Sequence, residues 1–283
     1  MEINAKQVKE LRDKTGAGMM DCKKALQECA GDTEKAINWL REKGIARAIS
    51  KSDRDTKEGR IYSFIEPKNK IGVLVEVNCE TDFVGKNEQF GDLCKVIATY
   101  ISENNPAEVK EDEKIKGIIS EAILTIGENI QLARATRYDK ENKVGRLNSY
   151  IHSNGKIGVL LEMTCATETV ALHEQFELLC KDISMHIAAT NPMAIRAEEL
   201  CKDFIEKERE VYRNKALNDG KPEAVIGKIV DGQVQKLYKE NCLLQQEFVK
   251  DSTKNVQDVI SEVISALGED IQITRFTRYM LGE

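Results

Sequence analysis

The sequence predicts an α+β fold. A three-helix bundle leads into two tandem related units, each a small antiparallel sheet with covering helices, and the second unit carries an inserted helical hairpin. Three observations predict this. Residues 70–95 (KIGVLVEVNCETDFVGKNEQFGDLCK) recur as 156–181 (KIGVLLEMTCATETVALHEQFELLCK), 86 positions later. Residues 127–138 (GENIQLARATRY) recur as 268–279 (GEDIQITRFTRY). The first 44 residues lie outside both repeats and carry apolar side chains at helical spacing. The expected boundaries are 1–50 for the bundle and a linker, 55–142 for the first unit, 143–283 for the second, and about 197–249 for the hairpin.

Each element has a local reason. Asn4 can cap a first helix that carries Val8 and Leu11 and stops at Thr15-Gly16. A second helix covers about 19–29, with Cys22, Leu26 and Cys29 at helical spacing, and ends at Ala30-Gly31. Asp32 or Thr33 caps a third, with Ile37 and Leu40 inward and Gly44 at its end. Residues 45–60 are charge-rich and poorly periodic, the character of a linker.

The first unit opens with a hairpin from Arg60, turning at 67–70 into a strand over 71–79. There Val73, Val75, Val77 and Cys79 alternate with Leu74, Glu76 and Asn78, which predicts one wet face near the strand's end. A helix over about 83–102 follows, with Phe90, Leu93, Cys94 and Ile97 on one side. Pro106 interrupts, and a helix over about 108–125 leads to a third strand. The second unit repeats these parts with an insertion: Pro106 to Gly127 spans 21 positions, whereas Pro192 to Gly268 spans 76. Leu200, Phe204 and Val211, an Asn218-Asp-Gly-Lys-Pro turn, then Val225, Ile229 and Val234 read as two antiparallel helices. The hairpin is either decoration packed on its own unit or an arm for self-association or partner contact. The first unit does without it, so the sheet should not require it.

Composition narrows the function classes. A net charge of −6 argues against a general nucleic-acid binder, which would show a basic face. No apolar run approaches the roughly 20 residues that cross a bilayer, and the N-terminus lacks signal-peptide blocks, so a cytoplasmic protein with no membrane partner is expected. The eight cysteines include no CxxC pair, and Cys79, at the end of an apolar strand, reads as a small buried thiol and not as a disulfide or metal ligand. The three histidines lack spacing for a nucleophile or metal site. His173 and His186 fall on the helix side, with His186 packed against the sheet. The absence of a GxxxxGK[ST] loop argues against nucleotide binding by this chain. No enzyme activity, metal site or cofactor is expected.

The repeats also control one another. Thr81 and Thr167 follow the strand in both copies, as helix caps should. Asp82-Phe83 becomes Glu168-Thr169 in the second copy. Asp82 can favour a helix N-terminus, a need Glu168 partly meets. Thr169 cannot fill an aromatic slot, so Phe83 is the candidate for contact with something outside the chain. Met19 and Met20 are adjacent on a helix, so they cannot both face inward; one should be exposed for a partner. Arg12 and Lys23 read either as solvated charges or as contacts.

Residues 11–26 (LRDKTGAGMMDCKKAL) and 76–84 (EVNCETDFV) resemble the bacterial elongation factor Ts family, and with the tandem core the resemblance covers nearly the whole chain. It implies a guanine nucleotide exchange factor for the translational GTPase elongation factor Tu. It also implies a ubiquitin-associated-like N-terminal domain, a core of two related subdomains and a helical dimerisation hairpin, hence a homodimer through that hairpin. The segment tied to Mg²⁺ dislodgement is then Thr81, Asp82, Phe83 and Val84. The partner-binding set is Arg12, Met19, Met20, Lys23, Ile126 and His152. Two departures stand out. Gly85 replaces the usual Ala or Ser and should loosen the helix start. The chain stops at Glu283, so the extra C-terminal helix of some members is expected to be absent.

Overall fold

A computed structural model of the chain describes residues 3–141, 143–152 and 154–283. The bundle comprises α1 (Ala5–Thr15), α2 (Met19–Glu28) and α3 (Thr33–Lys51). The first unit comes next as β1 (Glu58–Ile65), β2 (Ile71–Cys79), α4 (Asp82–Gly85), α5 (Glu88–Asn104), α6 (Glu113–Ile126) and β3 (Ile130–Asp139). Its sheet is antiparallel with β2 in the middle. The second unit has β4 (Gly145–Ile151), β5 (Ile157–Cys165), α7 (Glu168–Ala171), α8 (Glu174–Thr190), α9 (Lys202–Asn218), α10 (Glu223–Asn241), β6 (Glu247–Phe248), β7 (Asp251–Asn255), α11 (Val256–Leu267) and β8 (Ile271–Met280). Its main sheet, β4-β5-β8, repeats the arrangement of the first. The α+β class and the N-terminal helical region are as the sequence predicts.

Local chemistry sets the helix ends. Asn4 and Gln7 form a reciprocal capping box on α1, and Gly16 closes it in the left-handed region at φ 67°. Asp32 accepts from the backbone N–H groups of Glu34 and Lys35 at the start of α3. That helix does not stop at Gly44 but runs to Lys51. Gly44 serves a close approach instead: a Cβ there would lie 3.0 Å from the Ser120 carbonyl of α6. Leu124 of α6 completes the bundle core of Leu11, Leu26 and Leu40, and Ala48 packs on the first unit. Beyond the helix, Asn129 donates to the carbonyls of Ser52 and Arg54. The stretch that reads as linker is therefore largely docked.

The continuous helix expected over 83–102 is broken in two. Asn87 accepts from the Gln89 N–H and starts a new helix, and His173 does the same for α8. Phe90, Cys94, Ile97 and Ile101 of α5 cover one face of the first sheet, and their repeat mates Phe176, Cys180, Ile183 and Ile187 cover the second.

The wet face expected on β2 is dry. The two sheets pack face to face through Ile61, Leu74, Tyr138, Leu147, Leu160 and Tyr279. Gly72 and Gly158 permit the approach, since a Cβ on either would collide with Leu160 or Ile61 of the opposite sheet. Glu76 and Glu162, 1% and 0% exposed, lie in this seam. Each is paired across its own sheet, Glu76 with Arg134 at 2.7 Å and Glu162 with Arg275 at 2.6 Å. Each arginine then reaches the other unit. Arg134 donates to the Met280 carbonyl and lies over the Tyr279 ring; Arg275 donates to the Asp139 carbonyl and lies over Tyr138. Tyr138 and Tyr279 close the symmetry by bonding Thr277 and Thr136.

The inserted helices α9 and α10 pack mainly on each other through Ala216, Ile226, Val230 and Val234. Gly220, at φ 69°, turns the chain between them. The chain beyond α10 belongs to the second unit. Leu243 and Phe248 are in its core, and the buried His186 stacks on Phe248 of β6. His186 accepts from the Val249 N–H through Nδ1, so Nε2 is the donor to Gln246, and burial lowers its pKa to favour this neutral form. The expectation that all of 197–249 is dispensable is thus corrected. Excising 202–241 and joining the ends, which the packing of Leu200 with Cys242 in one small cluster keeps close, should leave a cooperative fold. Excising 197–249 removes Leu243 and Phe248, each worth about 2–5 kcal/mol as a core truncation. Thermal unfolding followed by circular dichroism should show the larger deletion melting far below the smaller one.

Candidate functional site

The segment after β2 is held by two carboxylates. Glu128, at the start of the return to β3, accepts from the backbone N–H groups of Glu80 and Thr81, both at 3.0 Å, and from the Thr81 hydroxyl at 2.6 Å. Glu80 reciprocates by accepting from the Asn129 N–H at 2.6 Å, and also pairs with Arg54 at 3.2 Å. The Asn129 amide, then Arg54, hold Glu80 below the usual carboxylate range. The β2–β3 register, which sets Cys79 opposite Ile130, brings these groups together. Thr81 then caps α4 by accepting from the Val84 N–H. Gly85 does not loosen a helix start; it ends α4 against β1, where a Cβ would lie 2.9 Å from the Gly59 carbonyl.

On this base Phe83 points outward, 83% exposed, while Val84 packs on the first unit's core. Asp82 pairs with Lys86 at 2.6 Å. That bond, with Lys156 adding its field, holds Asp82 below the usual carboxylate range, so it is ionised at neutral pH. Beneath the turn, burial pushes the Cys79 thiol up to about 12, which leaves it a protonated packing group.

The sister turn lacks half of this clamp. Thr167 bonds Glu269 through its hydroxyl, as Thr81 bonds Glu128. Ala166 stands where Glu80 does, so the reciprocal carboxylate is missing. Its outward apolar group is Leu172, 77% exposed and three positions further along than Phe83 would place it. Glu80 and Glu128 escaped sequence reasoning, although the Glu80-to-Ala166 difference is visible in the repeat.

The other predicted residues fall in two places. Arg12, Met19, Met20 and Lys23 are exposed on the bundle, with Met20 74% exposed. Neither methionine faces inward, so both, not one, are open. The α1–α2 turn adjoins the end of α6, where a Cβ on Gly16 would lie 3.3 Å from Thr125. Ile126 is next to it, partly buried against the first unit's core, and Glu128 is two residues beyond. The short segment 125–128 therefore runs from the bundle's turn to the clamp on Thr81. His152 lies on a different side, exposed at the β4–β5 turn with Nδ1 3.3 Å from the Tyr150 hydroxyl. It shares a cleft with Arg60, Lys86 and Lys156, so Lys86 links it to the Asp82 turn. Among the described residues, no helix is long and apolar enough to cross a membrane.

Residues 80–283 match the family model described as Elongation factor TS. The chain is 46% identical over 283 residues to a protein named Elongation factor Ts from Symbiobacterium thermophilum, a match covering all of this chain and 93% of that one. It is 43% identical to the protein of that name from Nitratidesulfovibrio vulgaris strain DP4, covering all of this chain and 97% of the relative. It is 47% identical to the one from Clostridium botulinum strain Alaska E43, covering 99% and 93%.

Proposed function

The chain belongs to the elongation factor Ts family and is a translation elongation factor; from that premise we propose that it acts in the cytoplasm as the guanine nucleotide exchange factor of elongation factor Tu. It performs no covalent chemistry. Its ligand is a conformational state of another protein. If it binds the empty GTPase more tightly than the GDP form, linkage requires that GDP bind the complex correspondingly more weakly. A coupling of about 3 kcal/mol weakens GDP about 150-fold.

The observation that carries this reading is an exposed aromatic on a clamped turn: Phe83 stands 83% exposed above a threonine fixed by Glu128. Burying that ring in a pocket of the GTPase supplies roughly 1.5–3 kcal/mol. The clamp lets that energy distort the partner, not the turn. Asp82 acts beside it by altering the charge and hydrogen bonds around the partner's Mg²⁺, whose loss weakens phosphate holding. Thr81 and Val84 are the footing of the wedge, the first as cap and the second as core anchor.

The same reading assigns residues 1–50 to partner binding, 55–142 to the wedge-bearing subdomain and 143–283 to the second subdomain. Arg12, Met19, Met20 and Lys23 supply affinity from the bundle, Ile126 from its junction with the core and His152 from the second subdomain. The hairpin leaves Val211, Leu217 and Val225 exposed, which supports a self-association face there.

Release of labelled GDP from elongation factor Tu, with and without the chain, tests the reading. Strong acceleration at substoichiometric chain is the expected result. Tight binding without any change in release would make the chain an adaptor instead.

A further inference from the structure

Comparing the two copies singles out Arg60. Its repeat mate Arg146 is paired with Glu177 of α8 at 3.0 Å, and Lys181, then Arg146, hold Glu177 below the usual carboxylate range. The position matching Glu177 in the first unit is Gly91. The arginine is kept and its carboxylate is deleted. Glycine inside a helix is unfavourable, so helix formation does not explain the exchange.

The side chain of Arg60 is extended across the boundary between the units. A Cβ on Gly155, in the β4–β5 turn, would lie 3.4 Å from its Cγ, and a Cβ on Gly91 would lie 2.5 Å from its Nη1. The guanidinium therefore rests on bare α5 backbone. It faces a cleft of about 800 Å³ lined also by Lys86, His152 and Lys156. The two lysines are matched within the chain, Lys86 by Asp82 and Lys156 by Glu58 at 2.8 Å. Among the described residues, Arg60 has neither an ion pair nor a side-chain hydrogen bond. In a chain of net charge −6, this half-buried cation without a counter-ion is conspicuous.

We propose that Arg60 is held open for a carboxylate of the partner GTPase, an Asp or Glu side chain that enters this cleft and takes the place Glu177 occupies in the second unit. The inference rests on the exchange-factor reading above and adds to it a specific docking point. A guanidinium offers a planar fork of donors that fits a carboxylate bidentately. Arg146 shows that an arginine at this strand position can hold one. Because Lys86 lines the same cleft and grips Asp82, a carboxylate captured here also fixes how the Phe83 turn approaches the partner.

The test uses the full chain with elongation factor Tu. Affinity is measured over a salt series, together with the concentration dependence of GDP release, for Arg60→Gln, Arg60→Lys, Gly91→Glu and Arg60→Gln/Gly91→Glu. Arg60→Gln should weaken binding about tenfold, the scale of one charge-assisted contact, and flatten its salt dependence. Arg60→Lys, which lacks the fork, should recover only part. Gly91→Glu supplies the sister unit's internal carboxylate; it should weaken binding similarly on its own and add nothing to Arg60→Gln. Parental melting temperatures would establish that the variants are folded. If Arg60→Gln binds like the parent with the same salt dependence, while the parent accelerates GDP release, the docking point is wrong and the exchange reading stands. If Gly91→Glu weakens Arg60→Gln by the same factor as the parent, the helix and not the arginine is responsible, which also overturns the proposal. A parent that neither binds nor accelerates release removes both.

Discussion

Replacing Phe83 with alanine should leave the fold intact and abolish most of the acceleration of GDP release. The ring is 83% exposed and belongs to no core cluster, so its loss should change stability by no more than about 0.5 kcal/mol. The sister turn folds with Thr169 in its place. A fully desolvated aromatic in a partner pocket is a hot spot worth at least about 2 kcal/mol, roughly 30-fold in coupling at 1.4 kcal/mol per decade. Val84→Ala is the informative companion. Val84 packs on the first unit's core, so that variant should lose stability while its folded fraction still exchanges nucleotide. Calorimetry and the release assay on the same preparations separate the two. If Phe83→Ala melts far below the parent yet its folded fraction remains active, the wedge assignment is wrong.

The tip of this candidate site and its Thr81 cap were legible in the sequence, and the carboxylates that grip that cap were not. Phe83 stood out because the repeat dispenses with an aromatic there, and Thr81 because the repeat keeps it. The grip on Thr81 comes from Glu128, 47 positions away, and only the β2–β3 register brings them together. Nothing in local spacing encodes that register. Glu80 could have been found, since Ala166 replaces it, but a charged residue at a strand end reads as solvated surface until its acceptor role toward Asn129 is seen. The two methionines were misjudged for a related reason. Helical geometry forbids both from facing the bundle core, yet it does not require either to do so.

The fold shows the same division. Periodicity and caps located the strands and most helices because those signals are local. They could not say what lies on the second face of each sheet. Leu74, Glu76 and Asn78 look like a wet edge when β2 is considered alone. In the structure that face meets the opposite sheet, and Glu76 is buried because Arg134 comes with it. Both halves of that pairing were present as repeats, Glu76 with Glu162 at one offset and Arg134 with Arg275 at another. A charge kept twice on an apolar strand, with an arginine kept twice on the returning strand, is the available signal for a buried pair.

That seam is where the largest loss of stability is expected. Arg275→Ala would leave the Glu162 carboxylate, 0% exposed, with Lys143 at 3.5 Å as its remaining ion-pair partner among the described residues. One of its oxygens has no hydrogen-bond partner among the described residues, so little spare solvation is available. The change also removes the donor to the Asp139 carbonyl and the cation over the Tyr138 ring, both of which tie the second unit to the first. Removing one partner of a buried pair costs about 3–5 kcal/mol; because Arg275 is partly exposed, the lower end applies. At roughly 2–4 °C per kcal/mol for a chain near this size, the melting temperature should fall by about 6–12 °C. Adding Glu162→Gln to Arg275→Ala should recover part of the loss, since the cost lies in the stranded charge and not in missing volume. Arg213→Ala, at an exposed position on α9, should stay within about 0.5 kcal/mol of the parent. A double variant no more stable than Arg275→Ala alone would show that the arginine acts through its contacts to Asp139 and Tyr138, with the buried carboxylate a bystander.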